Sequence, residues 1–360
     1  MKRNIVCFML CAFVVFYISS CKRNEFYAPD RLSVISDNGI EDSLYGIEVE
    51  KYNNCYLNLY ANDSLLFLFS NNRDSLIHIY NVNDNSLLCK IGRIGHGKNE
   101  FVSVPNNGYC TSYKNKIVLV CADGRKHCSK VIDIAQSIIS KQCVIIDEIA
   151  NHENRGENDI TFVINDTKVI ERNGVGYEDA RDKLFCPPSF SIIEKGKDNT
   201  FTPYPQIVSS SEPAVVLNAY LDILALTPNN QFLVQTFLCH DLINIVDIET
   251  GRVSGITSEK ESSFNQFNNM TFETMVKNLI IVNLDISVTN ENIYLLRDGR
   301  KASIAEKDEG SSKINVLSLD GKFDKSFILD RKLVKFTVST VKKCIFGIDN
   351  IGNLYKFDIK

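Results

Sequence analysis

A six-bladed β-propeller of four-stranded antiparallel blades is the fold this sequence predicts, and three observations predict it. The chain past its first forty or so residues is rich in Ile, Val, Leu, Phe and Tyr, with polar clusters about every ten residues, the pattern of short strands joined by turns. One unit recurs: an apolar strand, a polar gap, an alternating strand, a tight turn and a further strand. The alternating strand starts at positions 77, 131, 243, 314 and 353, as in Ile77-His78-Ile79-Tyr80 and Ile243-Asn244-Ile245-Val246. A degenerate copy at Phe190-Ser191-Ile192-Ile193 fills the widest interval, giving a count within the ~4–8 blades of propellers. Finally, glycine numbers only 18 and asparagine is about twice as common. Asn tolerates the left-handed backbone better than other non-glycine residues, so Asn pairs such as Asn71-Asn72 and Asn229-Asn230 are expected to carry turns.

The N-terminus precedes that pattern. Lys2 and Arg3 lead into a charge-free apolar run from Ile5 to Ile18, too short for the ~20 residues of a spanning helix and suited to the core of a secretory signal. Ile18-Ser19-Ser20-Cys21 resembles the lipobox of bacterial lipoproteins, which implies lipidation at Cys21 and anchoring to a membrane. Residues 1–20 are then the signal, 21–43 a lipidated tether and 44–360 the propeller. Lys22 stands where that family places Asp for inner-membrane retention. The expected location is the outer membrane of a cell envelope, periplasmic face, with the cell surface as the alternative.

Composition narrows the function. A net charge of −4 with both signs interspersed gives no basic stripe for nucleic acid. Of 12 cysteines, Cys7 and Cys11 leave with the signal and Cys21 is lipidated, which leaves an odd number in the domain. Most sit in apolar runs, as Cys89, Cys143 and Cys344 do, where Cys behaves as a small hydrophobe. Cys121 and Cys128 flank a turn-like segment and form a candidate disulfide, subject to the ~4.4–6.8 Å Cα separation such bonds require. With His127 they lack the spacing and fourth ligand of a zinc site, and no metal site is assigned.

Gly92-Arg93-Ile94-Gly95-His96-Gly97-Lys98-Asn99-Glu100-Phe101 marks one blade junction. Gly92, Gly95 and Gly97 let the chain turn tightly between blades. This stretch resembles the linker of NHL-type repeats. It is closer to the TolB-like six-bladed propeller lipoproteins of Gram-negative envelopes, with Lys98-Asn99 where that family favours Pro-Gly. The resemblance implies a fold and a compartment but no assigned activity. The stretch also falls short of a P-loop, because Asn99 replaces the magnesium-binding hydroxyl and an extended segment follows, so no nucleotide is expected. His96, Lys98 and Glu100 are candidate ligand contacts on a loop held by a rigid scaffold.

No catalytic constellation emerges. His152-Glu153 has no second His at metalloprotease spacing, no G-x-S-x-G occurs, and Asn81-Val82-Asn83-Asp84-Asn85 lacks the Gly and distal Glu of a calcium loop. Two function classes remain: a non-enzymatic propeller without cofactor that binds an envelope protein or glycan, and a calcium-dependent lactonase or lyase with its site in the central channel. Asp42-Ser43-Leu44, Asp63-Ser64-Leu65 and Asp74-Ser75-Leu76 resemble O-glycosylation acceptors of envelope proteins, which makes Ser43, Ser64 and Ser75 candidate sites. The last alternating strand runs into the C-terminus and leaves its blade one strand short. Ile47-Glu48-Val49-Glu50 or Cys55 to Leu59 is expected to complete it, since an open edge invites aggregation.

Overall fold

The computed structural model describes residues 31–34, 39–50, 56–105, 107–150, 160–173, 189–204, 212–257, 267, 270–301 and 310–359. The signal, Cys21, Lys22, Cys55 and His152-Glu153 lie outside the described residues, as do Phe264 to Gln266.

Three strands open the chain: β1 (Arg31–Val34), β2 (Ile40–Leu44) and β3 (Ile47–Glu50). Blade 1 follows as β4 (Tyr56–Ala61), β5 (Leu65–Ser70), β6 (Ile77–Asn81) and β7 (Leu87–Ile91). Blade 2 is β8 (Gly108–Tyr113), β9 (Lys116–Asp123), β10 (Cys128–Asp133) and β11 (Ile145–Ala150), with helix α1 (Ile134–Ser140) between the last two. Blade 3 is β12 (Ile160–Val163), β13 (Lys168–Asn173), β14 (Ser189–Glu194) and β15 (Lys197–Phe201). Helix α2 (Pro213–Ala219) leads into blade 4, β16 (Asp222–Leu226), β17 (Phe232–Phe237), β18 (Leu242–Asp247) and β19 (Val253–Thr257). Helix α3 (Phe272–Asn278) leads into blade 5, β20 (Ile280–Val288), β21 (Asn292–Lys301), β22 (Ser312–Ser318) and β23 (Phe323–Leu329). Blade 6 is β24 (Lys335–Ser339), β25 (Cys344–Ile348) and β26 (Leu354–Asp358).

Each of the six sheets holds four antiparallel blade strands, so the predicted propeller is the fold. The six recurring stretches read from the sequence are β6, β10, β14, β18, β22 and β26, the third strand of every blade. Their alternation has a different cause from the usual water-facing side. In β6, β10 and β18 both faces are buried, and the polar positions are taken up inside the molecule: His78, Lys130 and Asn244 are each at most 1% exposed. Asn244 donates to Gln235 Oε1 and to the Pro203 carbonyl, and the His78 ring meets Tyr56 and Ser75 hydroxyls.

Burial is organised by seam. One apolar cluster fills each gap between consecutive blades, from Phe67, Ile79 and Leu119 between blades 1 and 2 to Leu66, Phe346 and Leu354 between blades 6 and 1. The seam between blades 2 and 3 is the thinnest, built on Tyr113, Val118, Val120, Val131 and Val163.

The ring closes as one of the two expected pairings requires. β3 lies antiparallel to β26, with Tyr355 opposite Glu48, and supplies the missing outer strand of blade 6. Residues within the stretch read as tether also join the sheets. β1 pairs in parallel with β19 and β2 with β23, so the N-terminal segment straps the outer edges of blades 4, 5 and 6 in turn.

Meander topology gives the ring two unlike faces. Connections between first and second strands are short, and asparagine carries several of them. Asn62 Oδ1 accepts from the Ser64 and Leu65 amides, Asn165 Oδ1 from those of Thr167 and Lys168, and Asn115 and Asn230 take positive φ. The opposite face carries the long connections between blades, including those that hold α2 and α3.

Candidate functional site

The six inner strands β4, β8, β12, β16, β20 and β24 enclose a channel of about 1240 Å³. That exceeds the ~300–1,000 Å³ of ordinary small-molecule pockets. Its wall sets Asn58, Asn62, Thr111, Ser287, Thr289 and Asn290 among Tyr60, Tyr109, Phe162 and Leu224, and carries the charged residues Asp63, Asp222, Asp285, Glu291 and Lys335. The inner strand of a blade has only one neighbour in its sheet, so its other edge faces the channel with backbone groups to satisfy.

Side chains from adjacent blades cover that edge. Thr337 Oγ1 of blade 6 accepts from the Ala61 amide at 3.1 Å. Asp285 and Ser287 of blade 5 accept from the amides of Phe336 (2.9 Å) and Val338 (3.1 Å) in blade 6. Asn62 Nδ2 donates to Cys110 Sγ at 3.5 Å, and the Tyr109 hydroxyl accepts from the Val163 amide. Asn230 reaches across from blade 4, donating to Thr111 Oγ1 at 2.6 Å and to the Ile164 carbonyl at 3.0 Å, while Asn290 accepts from the Asn229 amide. The result is a girdle of cross-blade hydrogen bonds around the inner wall.

Charges in the depth of the channel are matched. Asp285 is 5% exposed, lies 3.1 Å from Lys335 Nζ and receives the Phe336 amide. Burial nevertheless pushes its carboxyl above the ordinary value, against the pull of Lys335. Asp222 lies 2.9 Å from Arg172, accepts from Gln235 Nε2 at 2.7 Å and is bonded by the Tyr204 hydroxyl. Asn230 Oδ1 and Ser339 Oγ, both on wall residues, are buried without a hydrogen-bond partner among the described residues. Among the described residues no three His, Cys, Asp or Glu side chains converge as a metal-binding group.

The junction loop lies elsewhere, on the long-connection face. Glu100 accepts from the Gly97 amide (2.7 Å) and from Arg93 (2.6 Å), and these hold its carboxyl below the ordinary value. The glycines make room for it: a Cβ on Gly95 would stand 2.0 Å from Glu100 Oε2, and one on Gly97 3.0 Å away. Gly92 has a φ of +77°, open to glycine with little strain. Blade 2 pins the far end of the loop, where Asp123 accepts from the Val102 and Ser103 amides and buried Lys130 donates to the Glu100 carbonyl. Glu100 is therefore committed within the loop. His96 and Lys98 are exposed at its tip, and neither forms part of the channel wall.

The disulfide candidate needs correction. The β9–β10 register sets Cys121 opposite Lys130 and Cys128 opposite Asp123, so the two cysteines are diagonal neighbours, and both thiols are free. Burial pushes the Cys128 thiol up to about 11 and those of Cys110 and Cys143 to about 12. The calcium-loop look-alike is a pair of ordinary turns, with Asn81 Oδ1 bonded by the Asn83 amide and Asp84 Oδ1 by that of Ser86. Of the Asp-Ser-Leu serines, Ser43 and Ser64 are exposed, whereas Ser75 is half-buried with its hydroxyl against the His78 ring.

These features define a six-bladed propeller with a polar channel whose deep charges are paired. The chain belongs to the TolB-like six-bladed propeller family, which matches residues 50–341. Among solved structures it is similar to a protein described as exported, from Bacteroides fragilis. That likeness has a TM-score of 0.55 and 9% identity, over 90% of this chain and 100% of the other. A further likeness is to U3-55K, with a TM-score of 0.49 and 9% identity over 87% of this chain and 98% of that one. No curated protein matches the chain.

Sequence reading missed the channel residues, because each inner strand contributes only two or three polar positions. One signal was present: hydroxyl residues alternate along Ser287-Val288-Thr289 and Thr337-Val338-Ser339.

Proposed function

We propose that this chain is an envelope lipoprotein, anchored through the lipid at Cys21 in the outer membrane on the periplasmic side, whose propeller binds a protein or glycan partner without catalysis of its own. The exported relative supports the compartment, and the lipobox-like Ile18-Ser19-Ser20-Cys21 supports the anchor. The observation that carries the binding function is the channel: large, polar and walled by all six blades, with each deep carboxylate already held by a cation of the protein. A calcium-dependent lactonase or lyase needs carboxylates free to converge on an ion, and Asp222 and Asp285 are spent on Arg172 and Lys335. In the same compartment Ser43 and Ser64 are the glycan acceptors, being the accessible pair.

The test is cross-linked capture from the native envelope with the parent protein and with Asn58→Trp, which fills the channel beside β4. A partner recovered by the parent and lost by the variant supports the reading; equal recovery overturns it. Replacing Cys21 with Ala moves the protein to the soluble fraction or leaves it uncleaved, and a variant that still carries lipid refutes the anchor.

A further inference from the structure

We propose that the channel takes an uncharged oligosaccharide, a ligand class set by three features of its wall; the inference rests on the channel being the binding site. The first is charge. Asp63 and Glu291 lie at exposed turns of the rim, while the three charged groups of the depth, Asp222, Asp285 and Lys335, are matched within the protein, the first by Arg172 and the other two by each other. An ionic ligand entering the depth would surrender its hydration without finding an unmatched counter-charge. An apolar ligand would strip water from the Lys335 ammonium, whose side chain is 29% exposed, and return no hydrogen bonds.

The second feature disfavours an extended peptide. Peptides join propeller or sheet edges by backbone pairing, which needs free amides on the receiving strand. Here the amides of Ala61, Val163, Phe336 and Val338, on the three inner strands β4, β12 and β24, are already bonded to side chains of the neighbouring blade. Along these three strands a ligand is read by side chains.

The third is the mixture of polarities. A sugar hydroxyl donates and accepts at once, so it needs both kinds of group side by side. The Asp285–Lys335 pair supplies them without net charge: the Lys335 side chain is 29% exposed and keeps N–H bonds beyond the one to Asp285. Asn58, whose Oδ1 accepts from the Leu59 amide at 2.8 Å, and Ser339, whose buried hydroxyl has no partner among the described residues, belong to the same wall. The rings of Tyr60 and Tyr109 add apolar surface of the kind that packs on the C–H face of a sugar.

The experiment uses the full chain in detergent, titrated calorimetrically and by tyrosine emission, the protein having 14 Tyr and no Trp. The probes are neutral maltohexaose, xylohexaose and mannohexaose, an oligogalacturonate and an uncharged hexapeptide. The expected result is saturable binding of at least one neutral hexasaccharide. That binding should be lost in Asn58→Trp and weakened about tenfold or more in the charge-neutral double variant Lys335→Met with Asp285→Asn, whose melting temperature is checked against the parent. Binding only of the galacturonate or peptide, blocked by Asn58→Trp, overturns the ligand class and leaves the channel as the site. A neutral sugar that binds Asn58→Trp as well as the parent overturns both, and no binding of any neutral hexasaccharide overturns the inference.

Discussion

Deleting residues 354–360 removes the strand on which ring closure depends, and the structure sets the size of the effect. Leu354 and Phe357 are fully buried and Tyr355 is 6% exposed. Leu354 sits in the core between blades 6 and 1, and Tyr355 and Phe357 in the core between blades 5 and 6, so two seams lose filling at once. Large-to-small losses at such sites cost ~2–5 kcal/mol each. Three of them come to about 6–15 kcal/mol, as much as the whole stability of an ordinary domain. At ~2–4 °C per kcal/mol the truncated chain should melt more than about 12 °C below the parent or fail to fold. Closure can be separated from core loss with Glu48→Pro on β3, where Ile47 is 65% exposed and pairing with β26 is the principal tie. That variant should lose about 1–3 kcal/mol, a drop of several degrees. Melting followed by circular dichroism decides. If both variants melt within about two degrees of the parent, β3 does not lock the ring and the reasoning fails.

Other consequences follow from buried and strained groups. His240 is fully buried, its ring nitrogen 3.1 Å from the Ala219 carbonyl, and burial pushes it down to about 3. The unfolded chain therefore binds a proton the native state refuses, so stability is lost as pH falls below ~6.5, by up to about 1.4 kcal/mol per unit until about pH 3. Urea midpoints between pH 6.5 and 4.5 should show this slope, and His240→Gln should flatten it; an unchanged slope assigns it to other groups. Gly95→Ala should displace the Glu100 carboxylate and cost about 1–3 kcal/mol through the lost Gly97 bond, with a melt equal to the parent counting against the loop's role. Cys121 and Cys128 should resist alkylation in the native state and give no linked peptide in an unreduced digest. Intact mass from the native host should show glycan on Ser43 or Ser64 and none on Ser75; an unmodified mass removes that assignment.

What could be read from the sequence was set by where polar residues had to be hidden. The third strand of each blade is walled in on both faces, so its apolar positions are invariant in kind and its few polar ones stand out as an alternation. That made all six copies visible, even the weak one at Phe190. Outer strands were legible at β3, because an unfinished blade demands an edge. β1 and β2 were not, since Ile40 and Val34 are exposed and their pairing is parallel to strands more than two hundred residues away. The junction loop gave the opposite lesson. Its charged residues looked like a surface offered to a ligand, yet Glu100 is turned inward by the very glycines that mark the motif.

The channel resisted reading for a related reason. A binding wall assembled from six strands takes a few residues from each, and no window of sequence contains more than a fragment of it. Asp285 and Lys335 are fifty positions apart, and Arg172 and Asp222 equally so. Those pairs also do structural service, since each joins consecutive blades, 5 to 6 and 3 to 4. Holding the blades together and pairing the deep charges of the channel are thus one arrangement. A substitution that frees either carboxylate would loosen a seam and charge the site together. Seam and site should therefore fail as a unit when one partner is removed, and separate only when both are neutralised. In Lys335→Met alone, the melting temperature should fall and any neutral-sugar affinity should go with it. Adding Asp285→Asn should recover most of the stability, by sparing the buried carboxylate its missing cation, and recover none of the affinity. If the double variant regains both, the pair serves the seam only and the site lies elsewhere along the wall.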